Sequence, residues 1–283
     1  MKASVSTWSF PPAMKLPEKL RLARSAGFAG FEIDLTEDGP VNLKSTPSGL
    51  RAVRRLVEKH GLELSGLATG LYWGASATSA NPKNVARASA ILERQLAAAA
   101  VMGIDAVLVV PGAVGVDFIP TAEVVPYGEA YARARRFIAA AVPQAEKLGV
   151  TIGIENVWNK FLLSPREMME FIDSFGSPRV GAYFDVGNAL ATGYPEHWIE
   201  LLGPRLARVH FKDFRRKVGT AEGFVELLSG DVNWPAVMRA LRAADYDGWC
   251  AAEMIPPVPF YQHAPEVLID NTARAMRAIF QLG

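Results

Sequence analysis

The stretch that decides the fold is Val150-Thr-Ile-Gly-Ile-Glu-Asn-Val-Trp-Asn159. Its first half is an apolar run without a polar face, which is typical of a strand buried on both faces in a parallel sheet covered by helices. The run stops at Glu155, and a lone carboxylate at the end of a buried strand needs a cation, a proton or a partner. The stretch therefore predicts a parallel α/β sheet with a charged site at its strand ends.

The order helix, glycine, apolar strand repeats along the chain, as expected of strand–helix units in series. These junctions are Gly27-Phe28, Gly61-Leu62, Gly103-Ile104 and Gly149-Val150. The 283 residues accommodate eight units of about 35 residues each. Right-handed crossovers in that number close most economically into one (β/α)8 TIM barrel, which we expect to span 1–283 as a single domain. An open doubly wound sheet is the alternative.

The predicted elements follow from apolar runs and helix-capping signals. The strands are predicted at 3–9, 31–35, 62–68, 105–110, 150–155, 180–185, 206–210 and 249–253. Helices are predicted at 16–26, 47–60, 128–148, 195–202, 234–243 and 265–282, with an alanine-rich helix that ends at Gly103. A further helix begins at Ser164-Pro-Arg-Glu167, a capping box with proline at the first helical position.

The bulk composition limits the partners. Lys+Arg 30 against Asp+Glu 29 leaves a net charge of +1, so we expect no nucleic-acid or membrane partner. The single cysteine, Cys250, excludes an intramolecular disulfide and suits a reducing compartment. The most apolar long stretch, 96–116, is broken by Gly103, Asp105 and Pro111, which argues against a membrane span. With a strand-like run that leaves no room for a signal peptide at the N-terminus, the sequence favours a cytoplasmic location.

Four predicted strands in succession end in side chains that can bind metal. They are Glu155, Asp185, His210 and Glu253, at the ends of the fifth to eighth strands. Because active sites of TIM barrels lie at the carboxyl ends of the strands, we expect these groups to converge. Crowded carboxylates repel one another unless a cation offsets them or their pKa values rise. Three carboxylates and one imidazole suit one divalent ion, with manganese preferred and magnesium, cobalt or zinc as alternatives.

Several motifs resemble the sugar phosphate isomerase/epimerase superfamily, the xylose isomerase-like TIM barrels. They are Glu155-Asn156, Tyr183-Phe-Asp-Val-Gly-Asn188, Val209-His-Phe-Lys-Asp213 and Asp245-Tyr-Asp-Gly-Trp-Cys-Ala-Ala-Glu253. The resemblance implies that Glu155, Asp185, His210 and Glu253 bind one catalytic metal, and that Glu155 and Glu253 also act as acid and base. It also implies a substrate-binding role for Arg216, which matches an arginine six residues beyond the metal histidine of ketose 3-epimerases.

Two positions depart from the ketose 3-epimerase pattern. The epimerases carry histidine three residues after the metal aspartate, where this chain has Asn188, and a second glutamate six residues after the first, where it has Phe161. Both positions contact substrate in those enzymes. We therefore expect Asn188 to lie at the substrate, and the recognition of a free ketose to differ here.

Further substrate contacts are predicted from the residues that follow the strands. Lys212, Arg215, Arg216 and Lys217 follow the seventh strand, a frequent phosphate site in barrels, although a solvated basic loop is an equal alternative. Trp8, Trp73 and Trp158 each follow a strand and could cover the apolar face of a sugar, or simply pack loops over the barrel. Of Glu32 and Asp34, one is expected to face the barrel interior and make a structural hydrogen bond.

The chemistry expected of this set is proton abstraction beside a carbonyl, with a divalent ion stabilising the enediolate and two carboxylates handling the proton. The substrate is expected to be a keto sugar or sugar phosphate, and ketose 3-epimerisation is the preferred reaction. A keto-inositol dehydratase and a hydroxypyruvate-type isomerase would use the same groups. A DNA-repair endonuclease would need more histidines than four, and a non-catalytic sugar-binding barrel would not need all four ligands. A homodimer or homotetramer is compatible with the sequence.

Overall fold

A computed structural model describes residues 1–255 and 261–283 of the chain. Eight parallel strands form a closed barrel. These strands are β1 Lys2–Ser6, β2 Gly30–Asp34, β3 Glu63–Ala68, β4 Ala106–Val109, β5 Thr151–Glu155, β6 Val180–Asp185, β7 Leu206–Phe211 and β10 Trp249–Ala252. Around the barrel they are hydrogen-bonded in the order β1-β10-β7-β6-β5-β4-β3-β2. The TIM-barrel prediction is confirmed, and the open sheet is wrong because β1 pairs with both β2 and β10.

Helices alternate with the barrel strands. They are α1 Leu16–Ala26, α2 Pro47–Lys59, α3 Pro82–Met102, α4 Tyr127–Leu148, α5 Pro165–Asp173, α6 Val186–Ala189, α7 Pro195–Leu202, α8 Trp234–Ala243 and α9 Pro265–Phe280. The junction glycines Gly27, Gly103 and Gly149 adopt left-handed conformations with φ of 96°, 72° and 69°, which end the helix and turn the chain into the next strand. Ser164 accepts a hydrogen bond from the Glu167 backbone N–H at 3.2 Å, as the capping box predicts.

The structure differs from the sequence-based elements in three places. The short helix α6, Val186–Ala189, directly after β6 was not predicted. The first strand ends at Ser6, because residues Thr7–Ser9 form a 3-10 turn in which the Ser6 hydroxyl accepts from the Trp8 backbone N–H. The segment after β7 is not a plain loop, since β8 Asp213–Phe214 and β9 Phe224–Val225 form a small antiparallel hairpin there.

Apolar side chains fill the space between the barrel and its helices. Cys250 is fully buried among them. In the part of the chain that the structure describes, none of the helices combines the length and the apolar character needed to cross a bilayer. Within this largely apolar core, the polar side chains buried inside the barrel are the exceptions that need an explanation.

Candidate metal centre

Four potential metal ligands meet at the carboxyl end of the barrel. Glu155 ends β5, Asp185 ends β6, His210 lies in β7 and Glu253 directly follows β10. One ligand atom from each lies within 4.8 Å of the others, and all four residues are buried. Ligands at about 2.0–2.2 Å from one ion lie at most about 4.4 Å apart, so these atoms are already close to the required spacing.

A buried carboxylate orients His210. Its Nε2 lies 3.0 and 2.9 Å from the two carboxylate oxygens of Glu32, and the Tyr183 hydroxyl donates to the same carboxylate. Glu32 is thus the strand-two residue that faces the barrel interior. A carboxylate at Nε2 favours the tautomer with the proton on that nitrogen, which leaves the Nδ1 lone pair free. Metal-binding histidines are commonly held in this way.

The free nitrogen of His210 faces the three carboxylates. Nδ1 lies 3.4 Å from Glu253 Oε2 and 3.9 Å from both Glu155 Oε1 and Asp185 Oδ2. Among the described residues it has no hydrogen-bond partner with acceptable geometry, and Asp185 Oδ2 and Glu253 Oε2 have none apart from the ammonium of Lys212. Buried polar atoms are rarely left without a partner. A cation among these atoms would satisfy them together.

Asn156 fixes two ligand strands against each other. Its side-chain amide donates to the Asp185 carbonyl at 2.8 Å and accepts from the Asp185 N–H at 2.7 Å. Asp185 in turn caps α6, because its Oδ1 accepts from the Asn188 N–H at 2.7 Å. While Oδ1 is bonded to the backbone, Oδ2 is the oxygen that lies near His210 Nδ1 and Lys212. This role of Asn156 depends on contacts with β6 and was not predicted from the sequence.

Lys212 lies inside the cluster rather than in a solvated loop. Its ammonium is 3.1 Å from Asp185 Oδ2 and contacts Glu253 Oε2 directly, and its side chain is 8% exposed. Only the later basic residues of the segment, Arg215, Arg216 and Lys217, are exposed. The structure thus separates one buried lysine from three surface cations that the sequence treated as one group.

Burial and mutual repulsion move the carboxyl pKa values apart. Burial, together with the nearby Glu253 charge, raises the pKa of Glu155 well above its usual range. Burial also raises the pKa of Asp185. For Glu253 burial acts in the same direction, but Lys212 and His210 outweigh it and hold the pKa of Glu253 below its usual range. One glutamate therefore favours its neutral form and the other its charged form.

The pKa values of the two basic groups, His210 and Lys212, are raised by the neighbouring carboxylates. Burial lowers the pKa of His210, but the charges of Glu32 and Glu253 outweigh it and leave the pKa well above its usual range. The pKa of Lys212 is likewise raised against burial by Asp185 and Glu253. The centre is therefore an anionic pocket that holds positive charge.

The predicted substrate residues lie around this centre in different ways. Trp158 packs against Phe214 and Phe224 with ring centroids 5.0 Å apart in each pair, and its indole donates to the Asn188 carbonyl at 3.3 Å. The side-chain amide of Asn188 donates to the Asn156 carbonyl at 3.1 Å. Asn188 thus braces the strand ends.

The other predicted contacts lie further out. Trp8 lies in the 3-10 turn after β1, and Trp73 lies in a second 3-10 turn after β3, edge-on to Phe118. The Arg216 guanidinium stacks on the Tyr194 ring at 4.5 Å and donates to the Gly193 carbonyl. All are on the carboxyl side of the barrel.

Two further buried residues near the centre, Phe161 and Asp213, have structural roles. Phe161 is buried between α4 and α5, with its ring 5.6 Å from that of Tyr127 and 5.9 Å from that of Phe171, so its side chain belongs to the core. Asp213 is buried and accepts from the backbone N–H groups of Leu228 and Val232 and from the Trp234 indole. It thereby ties down the segment between β7 and α8.

The remaining histidines lie outside the centre. His60 is hydrogen-bonded to the Leu56 carbonyl at the end of α2. His197, in α7, packs on the Tyr194 ring, and His263 is exposed. The described metal-capable cluster therefore contains a single histidine.

Comparison with known proteins gives one family and several partial or distant likenesses. The family model described as xylose isomerase-like TIM barrel matches residues 20–278. An uncharacterised protein of Methanocaldococcus jannaschii is 28% identical over 122 residues, 41% of each chain. The 3-oxo-isoapionate decarboxylase of Pectobacterium atrosepticum is 30% identical over 78 residues, 27% of each chain. These matches span less than half the length of either relative.

Two solved structures align over nearly the whole barrel. A D-psicose 3-epimerase crystallised in the presence of D-fructose has a TM-score of 0.77 and 18% identity, with 99% of both chains covered. The IolI protein with a bound zinc atom has a TM-score of 0.80 and 17% identity, covering 99% of this chain and 98% of that one. At this identity, both likenesses are likenesses of fold.

Proposed function

The chain belongs to the xylose isomerase-like TIM barrel family, and we propose that it is a metal-dependent enzyme that moves a proton next to the carbonyl group of a sugar or sugar phosphate. One observation carries the proposal. Three buried carboxylates and the free Nδ1 of His210 meet within 4.8 Å, and they do so at the barrel end where TIM-barrel enzymes react.

The donor set fits a divalent ion. Glu155, Asp185, His210 and Glu253 would hold it, and Glu32 would keep His210 in the binding tautomer. Three carboxylate oxygens and one imidazole favour manganese, with magnesium, cobalt and zinc as alternatives. When bound, such an ion supplies a positive centre that stabilises negative charge on substrate oxygens.

Glu155 and Glu253 are the proton-transfer pair of this proposal. Burial and the charge of Glu253 raise the pKa of Glu155, whereas Lys212 and His210 outweigh burial and lower the pKa of Glu253, which is the pattern of an acid and a base sharing one site. One carboxylate takes the proton from the carbon beside the carbonyl, and the other returns a proton. Both carboxylates are buried, which keeps bulk water away from the proton-transfer groups.

Ketose 3-epimerisation is the first reaction to test, in view of the likeness in fold to a D-psicose 3-epimerase. Substrate recognition must nevertheless differ from that of the ketose epimerases, because Phe161 is packed into the core and the Asn188 amide is bonded to backbone. The exposed cations Arg215, Arg216 and Lys217 on the carboxyl side support a phosphorylated substrate. Trp8, Trp73 and Trp158 would line the entrance.

The experiment is product analysis in deuterated water. Enzyme stripped with EDTA and reloaded with Mn²⁺, Mg²⁺, Co²⁺ or Zn²⁺ is incubated with free and phosphorylated ketoses, a keto-inositol, hydroxypyruvate and a 3-oxo sugar acid. We expect metal-dependent deuterium incorporation at C3 of a ketose with inversion at that carbon.

The other products assign the other reactions. Label at the neighbouring carbon indicates an aldose–ketose or hydroxypyruvate-type isomerase, and loss of water indicates a dehydratase. Release of CO2 from the 3-oxo acid would point to the chemistry for which the Pectobacterium relative is named. Metal binding without turnover or exchange on any substrate would contradict the proposal and favour a sugar-binding barrel.

A further inference from the structure

Lys212 shares oxygen atoms with the proposed metal. Its ammonium lies at hydrogen-bond distance from Asp185 Oδ2 and in contact with Glu253 Oε2. These are the two carboxylate oxygens that also face His210 Nδ1. The ring of Phe224, 4.9 Å from the ammonium, covers another side of it. A lysine in this place is part of the centre rather than of the solvated basic segment.

The backbone around Lys212 holds the side chain at this place. Gly187 lies so close that a Cβ atom there would be 2.8 Å from the Lys212 carbonyl oxygen and 2.9 Å from its Cβ. On its other side, Asp213 is bonded to three backbone N–H groups and to the Trp234 indole. The lysine stem therefore starts from a fixed point at the edge of the barrel mouth.

Charge balance gives the lysine a role. Three carboxylates crowd the centre, and one ammonium together with one divalent ion would neutralise them. Two cations that share the same oxygens also repel each other, and in a buried site water and salt screen this repulsion only weakly. The lysine therefore stabilises the carboxylate charges when no metal is bound, and it weakens the binding of the metal.

We propose that Lys212 is a tethered cation that competes with the divalent ion for Asp185 and Glu253 and so sets how tightly the centre binds metal. The inference rests on the proposed function, because that function requires a metal at these residues. It follows that removing the ammonium strengthens metal binding, although the same change leaves the metal-free protein less stable.

The test measures Mn²⁺ binding by isothermal titration calorimetry and thermal unfolding of the full chain. The variants are Lys212→Met, Lys212→Gln and Lys212→Arg, and the exposed Lys217→Met is the matched control. We expect Lys212→Met and Lys212→Gln to bind Mn²⁺ at least about tenfold more tightly than wild type. Lys212→Arg keeps the charge and should bind Mn²⁺ about as tightly as wild type does, and the Mn²⁺ affinity of Lys217→Met should be unchanged.

Unfolding gives the second, activity-independent readout. In EDTA, Lys212→Met and Lys212→Gln should melt below wild type, and saturating Mn²⁺ should remove most of that difference. Equal or weaker Mn²⁺ binding in both variants would overturn the inference while leaving the metal site intact. If wild type and both variants all fail to bind Mn²⁺, the proposed function itself fails. If only the variants bind, competition by Lys212 is stronger than expected and the inference stands.

Discussion

The two ends of the barrel interior treat buried charge in opposite ways. Arg208 and His210 are two residues apart on β7 and therefore point the same way, one near the base and one at the mouth. At the base, Arg208 donates to the carbonyls of Ser65 and Ala207 at 2.6 and 2.7 Å and to the carboxylate of Asp105. At the mouth, His210 Nδ1 has no well-aligned partner among the described residues.

The difference separates a structural from a functional use of buried charge. Arg208 reaches from β7 to a carbonyl of β3, two strands that are not neighbours in the barrel, and so ties opposite walls together. Its interactions are complete within the chain. At the mouth, Lys212 contacts two of the three carboxylates and His210 Nδ1 lacks an aligned partner among the described residues, and buried polar groups of that kind are expected to meet a ligand.

The largest effect is expected from the two glutamates at the mouth. Glu155→Gln and Glu253→Gln each remove a proposed proton-transfer group and a proposed metal ligand while keeping the side-chain volume. We expect each to lower turnover about 10²–10⁴-fold without unfolding the barrel. Steady-state kinetics on the substrate found by product analysis, with circular dichroism as the check on folding, measure this. Turnover like that of wild type in both variants would refute the assignment.

Glu32→Gln tests whether Glu32 holds His210 in the tautomer that can bind metal. The amide can donate to His210 Nε2 and so favour the tautomer with the proton on Nδ1, which cannot bind metal. We expect Mn²⁺ affinity to fall about 10–100-fold, measured by calorimetry. Tyr183→Phe removes only the neighbouring hydroxyl and is the milder control. An unchanged affinity in Glu32→Gln would mean that His210 is oriented by something else.

Metal binding should also depend on pH. Burial and the charge of Glu253 raise the pKa of Glu155, and Glu32 and Glu253 raise that of His210 against burial. Both groups must lose their protons to bind metal, so affinity should increase as pH rises through these raised pKa values. The gain can reach about tenfold per pH unit for each proton released. Calorimetry in buffers of different ionisation enthalpy counts the protons, and zero release would contradict the account.

The smallest functional effect is expected at the base. Arg208→Met leaves two carbonyls without their donor, which should lower the free energy of unfolding by about 1–3 kcal/mol. Mn²⁺ affinity should remain that of wild type. The control Arg205→Met breaks a partly exposed pair with Asp173 and should cost no more than about 1 kcal/mol. A large loss of metal affinity in Arg208→Met would show that the two ends are not independent.

The sequence predicted the repeating frame and the four residues that cluster at the barrel mouth because both follow from local patterns. Glycine after a helix marks a left-handed turn, as Gly27 and Gly103 show, and a polar residue that ends an apolar strand faces the carboxyl edge of a parallel sheet. The TIM barrel and the convergence of Glu155 with Glu253 needed no further information.

The remaining features depend on contacts distant in the chain. Lys212 lies just beyond a strand, where a long side chain can turn inward or outward, and only the nearby carboxylates decide between them. An arginine such as Arg208 is unexpected in a buried strand, and its position is explained only by its partners on β3 and before β4. Asp213 organises a segment up to 21 residues away, a relation that no spacing rule indicates.

The most direct test of the metal centre is a crystal structure of the protein grown with Mn²⁺, with anomalous diffraction data to locate the ion. We expect one manganese between Glu155, Asp185, His210 Nδ1 and Glu253, at about 2.0–2.3 Å from each ligand atom. Manganese bound only elsewhere, or a fully loaded crystal in which these four residues hold no ion, would contradict the account.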